Sequence, residues 1–307
     1  MVILIKLLQF ILRLVFFLPA GWALNVMYGL AWLTRLALSP FAPRKQIAAN
    51  FRLVLPDVPA EELTEKLLTN TVYAVFEVLC QPFLKAQHFK RLISWQGLEQ
   101  IKPALDKGRG AILLTMHAGN YELPQAALAS LGYPMTAILR TTNEPIFEII
   151  NSSRAAQGTQ LINILEADMY KSSLKALNEN RLVYLLADTG ALESRHETIS
   201  FLGKTVPAAT GWLTLAQRSG CSVIPVLAKK DGRSNIVTVF PAREVTKDNR
   251  DEAKNDILAA FESVIRQQPE QWGIFLNAYE VERMTVPRPL DDARGNQARG
   301  DGGKNDE

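Results

Sequence analysis

Three continuous apolar runs set the strongest limit on how this chain can fold. Ala111-Ile-Leu-Leu-Thr-Met116, Leu182–Ala187 and Ser222–Ala228 are each of strand length. The first is so uniformly hydrophobic that it suits a strand covered on both faces. Segments of helical character alternate with these runs: residues 98–107, about 121–131, about 145–157, 170–178, 207–219 and 252–267. Further strands are expected at Met135–Leu139 and Asn235–Phe240. Such alternation predicts one α/β domain, a mixed, largely parallel central sheet flanked by helices. Sheets of that kind bind ligands at the carboxyl ends of their strands.

The chain ahead of the first strand is different. Residues 44–93 read as helical, with apolar spacing in Lys45–Leu55. A second helix starts at Pro59, has Glu61 and Glu62 in its first turn, and continues through Leu63, Leu67, Val72, Phe76 and Leu79. Before it, Leu14 to Thr34 is uncharged for 21 residues, enough to just cross a bilayer as a helix. Arg35, Arg44 and Lys45 follow, which would leave the body facing the cytoplasm. Pro19, Gly21 and Asn25 weaken a spanning helix. A broken helix lying in the interface, or a cleaved signal, are the other two readings. The expected organisation is a hydrophobic membrane anchor at 1–43, an α/β body at 44–284 and a polar, glycine-rich disordered tail at 285–307.

Charge narrows the partners. Of the net +3, residues 1–45 supply +5 and no acid, so the remainder carries −2. The basic excess lies beside the most apolar segment and suits an anionic membrane surface. No aromatic-basic stripe points to nucleic acid. Cys80 and Cys221 lie far apart in apolar runs, as buried free thiols do. His88, His117 and His196 are scattered with no HExxH or Cys/His cluster, so no metal and no other cofactor is expected. Gly203-Lys-Thr205 ends like a P-loop, but Thr198 stands where the first glycine is needed. His196-Glu197 falls in a polar stretch and reads as a solvated loop.

The chemistry concentrates in His117-Ala-Gly-Asn-Tyr-Glu122, where a strand ends and a helix begins. On one helix, His117 and Glu122 would stand about 140° apart. Across a strand-turn-helix junction they can converge, and Gly119 permits the tight turn. A histidine held by a carboxylate is a general base at neutral pH, and the helix amino terminus can hold an oxyanion. Spacing alone leaves a purely structural histidine equally open. GxSxG is absent, so a nucleophilic serine of the hydrolase type is not indicated.

The stretch GRGAILLTMHAGNYEL around this motif resembles the catalytic block of the lipid A late acyltransferases and the related mycobacterial mannolipid acyltransferases. RKQIAANFRLVLPDVPAEE, NRLVYLLADTG, FLGKTVPAATGWLTLAQRSGCSVIPV and QQPEQW resemble further blocks of that family, in the same order, over roughly residues 1–284. The resemblance implies a glycerolipid acyltransferase-like fold. It also implies an acyl thioester donor, on acyl carrier protein or coenzyme A, and a membrane glycolipid or lipid A-like acceptor. His117 would be the base and Glu122 its partner. Arg140 matches a family arginine that binds an anionic group or the oxyanion, and Asp188 a second acid near the site. Gly119 and Asn120 join them as candidate substrate or oxyanion contacts. Two departures stand out: Asp188-Thr189-Gly190 replaces the usual Asp-Gln, and residues 191–200 lack the usual basic run. The expected activity is direct acyl transfer at the cytoplasmic (inner) membrane. The alternatives are a lysophospholipid acyltransferase and a catalytically inactive lipid-binding protein.

Overall fold

Both faces of the expected sheet are covered, as its uniform strands require. The computed structural model describes residues 2–141, 145–188 and 196–285. A helical layer comes first: α1 (Val2–Val15), α2 (Ala20–Leu38), α3 (Arg44–Val54), α4 (Ala60–Cys80) and α5 (Ala86–Leu92). The sheet region opens with β1 (Ile93–Gln96), α6 (Ile101–Leu105), β2 (Ala111–Thr115), α7 (Leu123–Ser130) and β3 (Met135–Leu139). It continues with α8 (Pro145–Ala155), β4 (Gln160–Asn163), α9 (Met169–Asn178) and β5 (Leu182–Leu186). A hairpin of β6 (His196–Phe201) and β7 (Lys204–Ala209) precedes α10 (Gly211–Ser219). The chain then forms β8 (Ser222–Asp231), β9 (Ser234–Val239), β10 (Arg243–Glu244), α11 (Arg250–Gln267) and α12 (Ala278–Thr285).

The sheet order is β1-β9-β8-β2-β5-β3-β4, with β10 beside β8. Within this sheet, among the described residues, β8–β9 and β8–β10 are antiparallel and the other pairs parallel. Alternate residues of each central strand enter opposite cores. Ile112, Leu114, Val183 and Val223 pack on one face with α9, α10 and α11. Leu113, Leu182, Tyr184 and Ile224 pack on the other with α2, α5 and α7. Each such side chain contributes about 2 kcal/mol through burial.

The uncharged amino-terminal stretch is not one helix. α1 ends at Val15, and Pro19 caps the start of α2 because its ring cannot continue a helix. Among the described residues, no helix is long and apolar enough to cross a membrane. One side of the helix pair packs on the body through Leu12, Phe16, Ala23, Met27 and Tyr28. The other leaves Ile3, Phe17, Trp22 and Trp32 between 51 and 84 % exposed.

Two local expectations change. Residues 207–209 belong to β7, and the helix begins only at Gly211. His196-Glu197 is in β6 rather than a loop, because Ile199, Phe201 and Val206 give the hairpin a buried face. Glu197 is ion-paired with Arg250 and Lys254 of α11, which hold its carboxyl at about 2. Thr189-Gly190, residues 191–195 of the expected polar loop, and the tail beyond Thr285 lie outside the described residues.

Candidate active site

Parallel register brings three loops to one edge. Ala111 pairs with Leu182 and Thr115 with Leu186, while Met135 also pairs with Leu182. β2, β5 and β3 therefore end together. His117 follows β2 by two residues, Asp188 follows β5 by two, and Arg140 follows β3 directly. Residues 71 positions apart in sequence become neighbours.

The His117 backbone N–H donates to Asp188 Oδ2 at 2.9 Å, and the ring Nδ1 lies 2.8 Å from Oδ1. Trp272 Nε1 donates to Oδ2 at 2.8 Å. An ionised carboxylate only accepts, so Nδ1 carries the proton and Nε2 presents its lone pair. The Asp188 side chain is 4 % exposed while that of His117 is 29 % exposed, so the ring alone remains reachable. Burial pulls the His117 pKa down, but the charge and hydrogen bond of Asp188, with Glu122 and Glu280 behind, raise it above its ordinary value. Burial pushes Asp188 up, and the facing imidazole with three hydrogen bonds carries it below its ordinary value.

The turn itself is clamped. Gly119 N–H donates to Gln271 O and Gly273 N–H to His117 O, each at 2.7 Å. Gly119 has φ +55°, and a Cβ there would fall 2.5 Å from Ala228 O, so both conformation and space demand glycine. Tyr121 stands edge-on to the His117 ring at 4.6 Å.

Glu122 has another partner. It precedes α7 as the cap residue, and its carboxylate meets Arg154 of α8 with both oxygens, Nε to Oε2 at 2.9 Å and Nη2 to Oε1. The expected His117–Glu122 hydrogen bond is therefore not formed. Its place is taken by Asp188, and Glu122 reaches the ring through its field. Helix geometry is the reason: the junction turns Glu122 toward α8, while strand pairing delivers Asp188 to Nδ1. Asn120 is buried, with Nδ2 donating to Glu77 Oε2 at 2.6 Å. Gly119 has its N–H committed to Gln271. Arg140 is exposed at the same edge.

Nothing local in the sequence singles out Arg154, Trp272 or Glu77. Arg154 is a lone arginine in Asn-Ser-Ser-Arg-Ala and carries no local signal. Trp272 closes the QQPEQW block, whose order was visible and whose contact was not. Among the described residues, no group of three His, Cys, Asp or Glu side chains could hold a metal. What the arrangement can do is take a proton at Nε2, with the resulting imidazolium held by a buried carboxylate.

The model of the family described as bacterial lipid A biosynthesis acyltransferase matches residues 2–280. A phosphatidylinositol mannoside acyltransferase of Mycobacterium tuberculosis is 23 % identical over 272 residues, covering 80 % of this chain and 85 % of that protein. A lipid A biosynthesis acyltransferase 2 of Shigella flexneri is 21 % identical over 215 residues, 68 % of this chain and 66 % of that one.

Proposed function

The chain belongs to the bacterial lipid A biosynthesis acyltransferase family and is an O-acyltransferase, and we propose that it moves a fatty acyl chain from an acyl thioester to a hydroxyl of a membrane glycolipid. The donor would be carried on acyl carrier protein or coenzyme A. The observation that supports this chemistry is the partly exposed His117 ring with Nδ1 fixed on Asp188.

The acceptor hydroxyl gives its proton to His117 Nε2, and its oxygen bonds to the thioester carbonyl carbon. The carbonyl electrons pass to the oxygen as an oxyanion. The intermediate then collapses, the C–S bond breaks, and the thiolate takes the proton back from Nε2. Asp188 keeps the tautomer and stabilises the imidazolium. The amides of His117, Ala118 and Gly119 already have acceptors. The first α7 amide, Leu123, also has an acceptor in Asn120 O at 3.1 Å, and Pro124 has no N–H, so the oxyanion would meet the cations Arg154 and Arg140. Glu122 acts at one remove by holding Arg154.

The α1–α2 pair would lie in the interface plane of the cytoplasmic (inner) membrane, its open apolar side in the lipid and the α/β body in the cytoplasm. Trp22 and Trp32 suit the headgroup level, and Lys6 and Arg13 suit anionic lipid. The test uses full-length protein on vesicles, with labelled acyl thioester and either a glycolipid or lysophosphatidic acid. Acylated glycolipid is expected, with His117→Ala lowering kcat by about 1000-fold. Full transfer by that variant, or an acyl-enzyme trapped during turnover, would overturn the scheme.

A further inference from the structure

Behind the 117–122 turn lies a carboxylate that no step above uses. Glu77 of α4 is fully buried, and so is the side chain of Lys230 on β8. Glu77 Oε1 accepts from Tyr28 OH, from Lys230 Nζ and from Asn235 Nδ2 at 3.3 Å. Oε2 accepts from Asn120 Nδ2 at 2.6 Å and from Asn235 Nδ2 at 3.2 Å. A buried ion pair is a poor device for stability alone, because desolvation offsets its attraction and a well-packed apolar pair often does as well. Its use has to be sought in what it connects.

The donors come from four places: α2, the 117–122 turn, the end of β8 and the start of β9. The β8 side also reaches the turn by a second route. Gln271 brackets the Lys230 backbone, accepting its N–H at 2.7 Å and donating to its carbonyl at 3.1 Å. The carbonyl of Gln271 in turn accepts from Gly119. The turn that carries His117 is thus held from two sides by groups that converge on one carboxylate.

We propose that Glu77 is the positioning residue of this turn, setting the His117 ring through Asn120 and linking that setting to the seating of α2 through Tyr28. The inference rests on His117 being the base. It makes the amino-terminal helices part of catalysis as well as of membrane attachment.

The test compares kcat and KM of the full chain on glycolipid vesicles with acyl thioester. Glu77→Gln keeps the volume but turns one oxygen into an amide facing the Asn120 amide. It should lower kcat by about 100-fold, the scale of a slightly misplaced catalytic group, and leave KM within about 3-fold, since ground-state binding is untouched. Glu77→Gln with Asn120→Asp restores a donor facing an acceptor and returns the negative charge beside Lys230. It should regain about 10-fold of the loss, the non-additivity of a coupled pair. Tyr28→Phe removes one hydrogen bond and should cost about 5-fold in kcat.

The downfield proton resonance of the His117 Nδ1–H reads the same geometry without turnover. It should shift in Glu77→Gln and return in the double variant. Should the wild type transfer no acyl chain, the acyltransfer reading fails, and this resonance still tests the clamp. Wild-type kcat with an unmoved resonance in Glu77→Gln would overturn the proposal, as would a double variant no better than the single one. If Glu77→Gln does not fold, Tyr28→Phe decides: lower kcat at constant KM supports the proposal, and unchanged kcat with an unmoved resonance overturns it.

Discussion

Two carboxylates stand beside the His117 ring, one arriving from a strand end and one from a helix start, and they have different partners. Asp188, 71 residues away in sequence, bonds the ring and the backbone of His117 and is closed off by Trp272. Glu122, five residues away, is bonded with both oxygens to Arg154. Both favour the protonated imidazole. Only Asp188 also fixes the tautomer, while Glu122 acts on the ring through its field alone and bonds the Arg154 guanidinium. The proposed base needs an acid that orients it; strand pairing brings Asp188 to that position, while the local motif brings a carboxylate that holds a cation.

The largest way to break this contrast is Asp188→Asn. The amide cannot hold the same tautomer, and kcat should fall by about 1000-fold or more. Glu122→Gln should fall far less, by about 10- to 100-fold, because it acts through Arg154. Equal losses in the two variants, measured as kcat on one substrate pair, would erase the distinction. Arg154→Met sharpens it next. It leaves the Glu122 carboxylate partly buried without its cation and should lower stability by about 3 kcal/mol in denaturant titration. Asp188→Asn leaves no charge stranded on that side and should cost less. Trp272→Phe is milder. It removes one hydrogen bond to the Asp188 carboxylate, worth about 1.5 kcal/mol, so kcat should drop about 10-fold with KM unchanged.

The difference between the two acids also marks how far the sequence was legible. β2, β5 and β8 were readable because burial on both faces leaves an unbroken apolar run. β4 was not, because as an edge strand only Ile162 of its four residues is buried. The β6–β7 hairpin was hidden by Pro207 and by a polar outer face that looks like a loop. His117 and Glu122 could be seen together because they share one motif. The Asp188 carboxylate could be singled out only through the family resemblance, since its approach to Nδ1 is a property of strand register. Arg154 lies on the exposed-looking face of α8 and is explained only once Glu122 is found facing it. At the amino end the length of the uncharged stretch suggested one helix, while Pro19 already held the signal for two.

The finest test of the pair is the pH dependence of kcat. His117 accepts a proton only when neutral, so activity should rise with pH through its pKa, above the ordinary 6.5. In Asp188→Asn the largest influence left is burial, which disfavours the charged ring, so the rising limb should move to lower pH even as the plateau falls. In Glu122→Gln it should move the same way and less. Stability follows the same charges with a definite sign. The raised His117 pKa contributes stability in full below the unfolded value near 6.5 and loses it as pH rises through the folded value. The lowered Asp188 pKa contributes stability above its unfolded value of 3.8 and loses it as pH falls through the folded one. Both contributions are complete between those two unfolded values. The wild type should exceed Asp188→Asn in melting temperature by the most in that window, and the gap should narrow on either side. A rising limb that stays in place in Asp188→Asn would mean that Glu122, or a group beyond both, sets the charge of the ring.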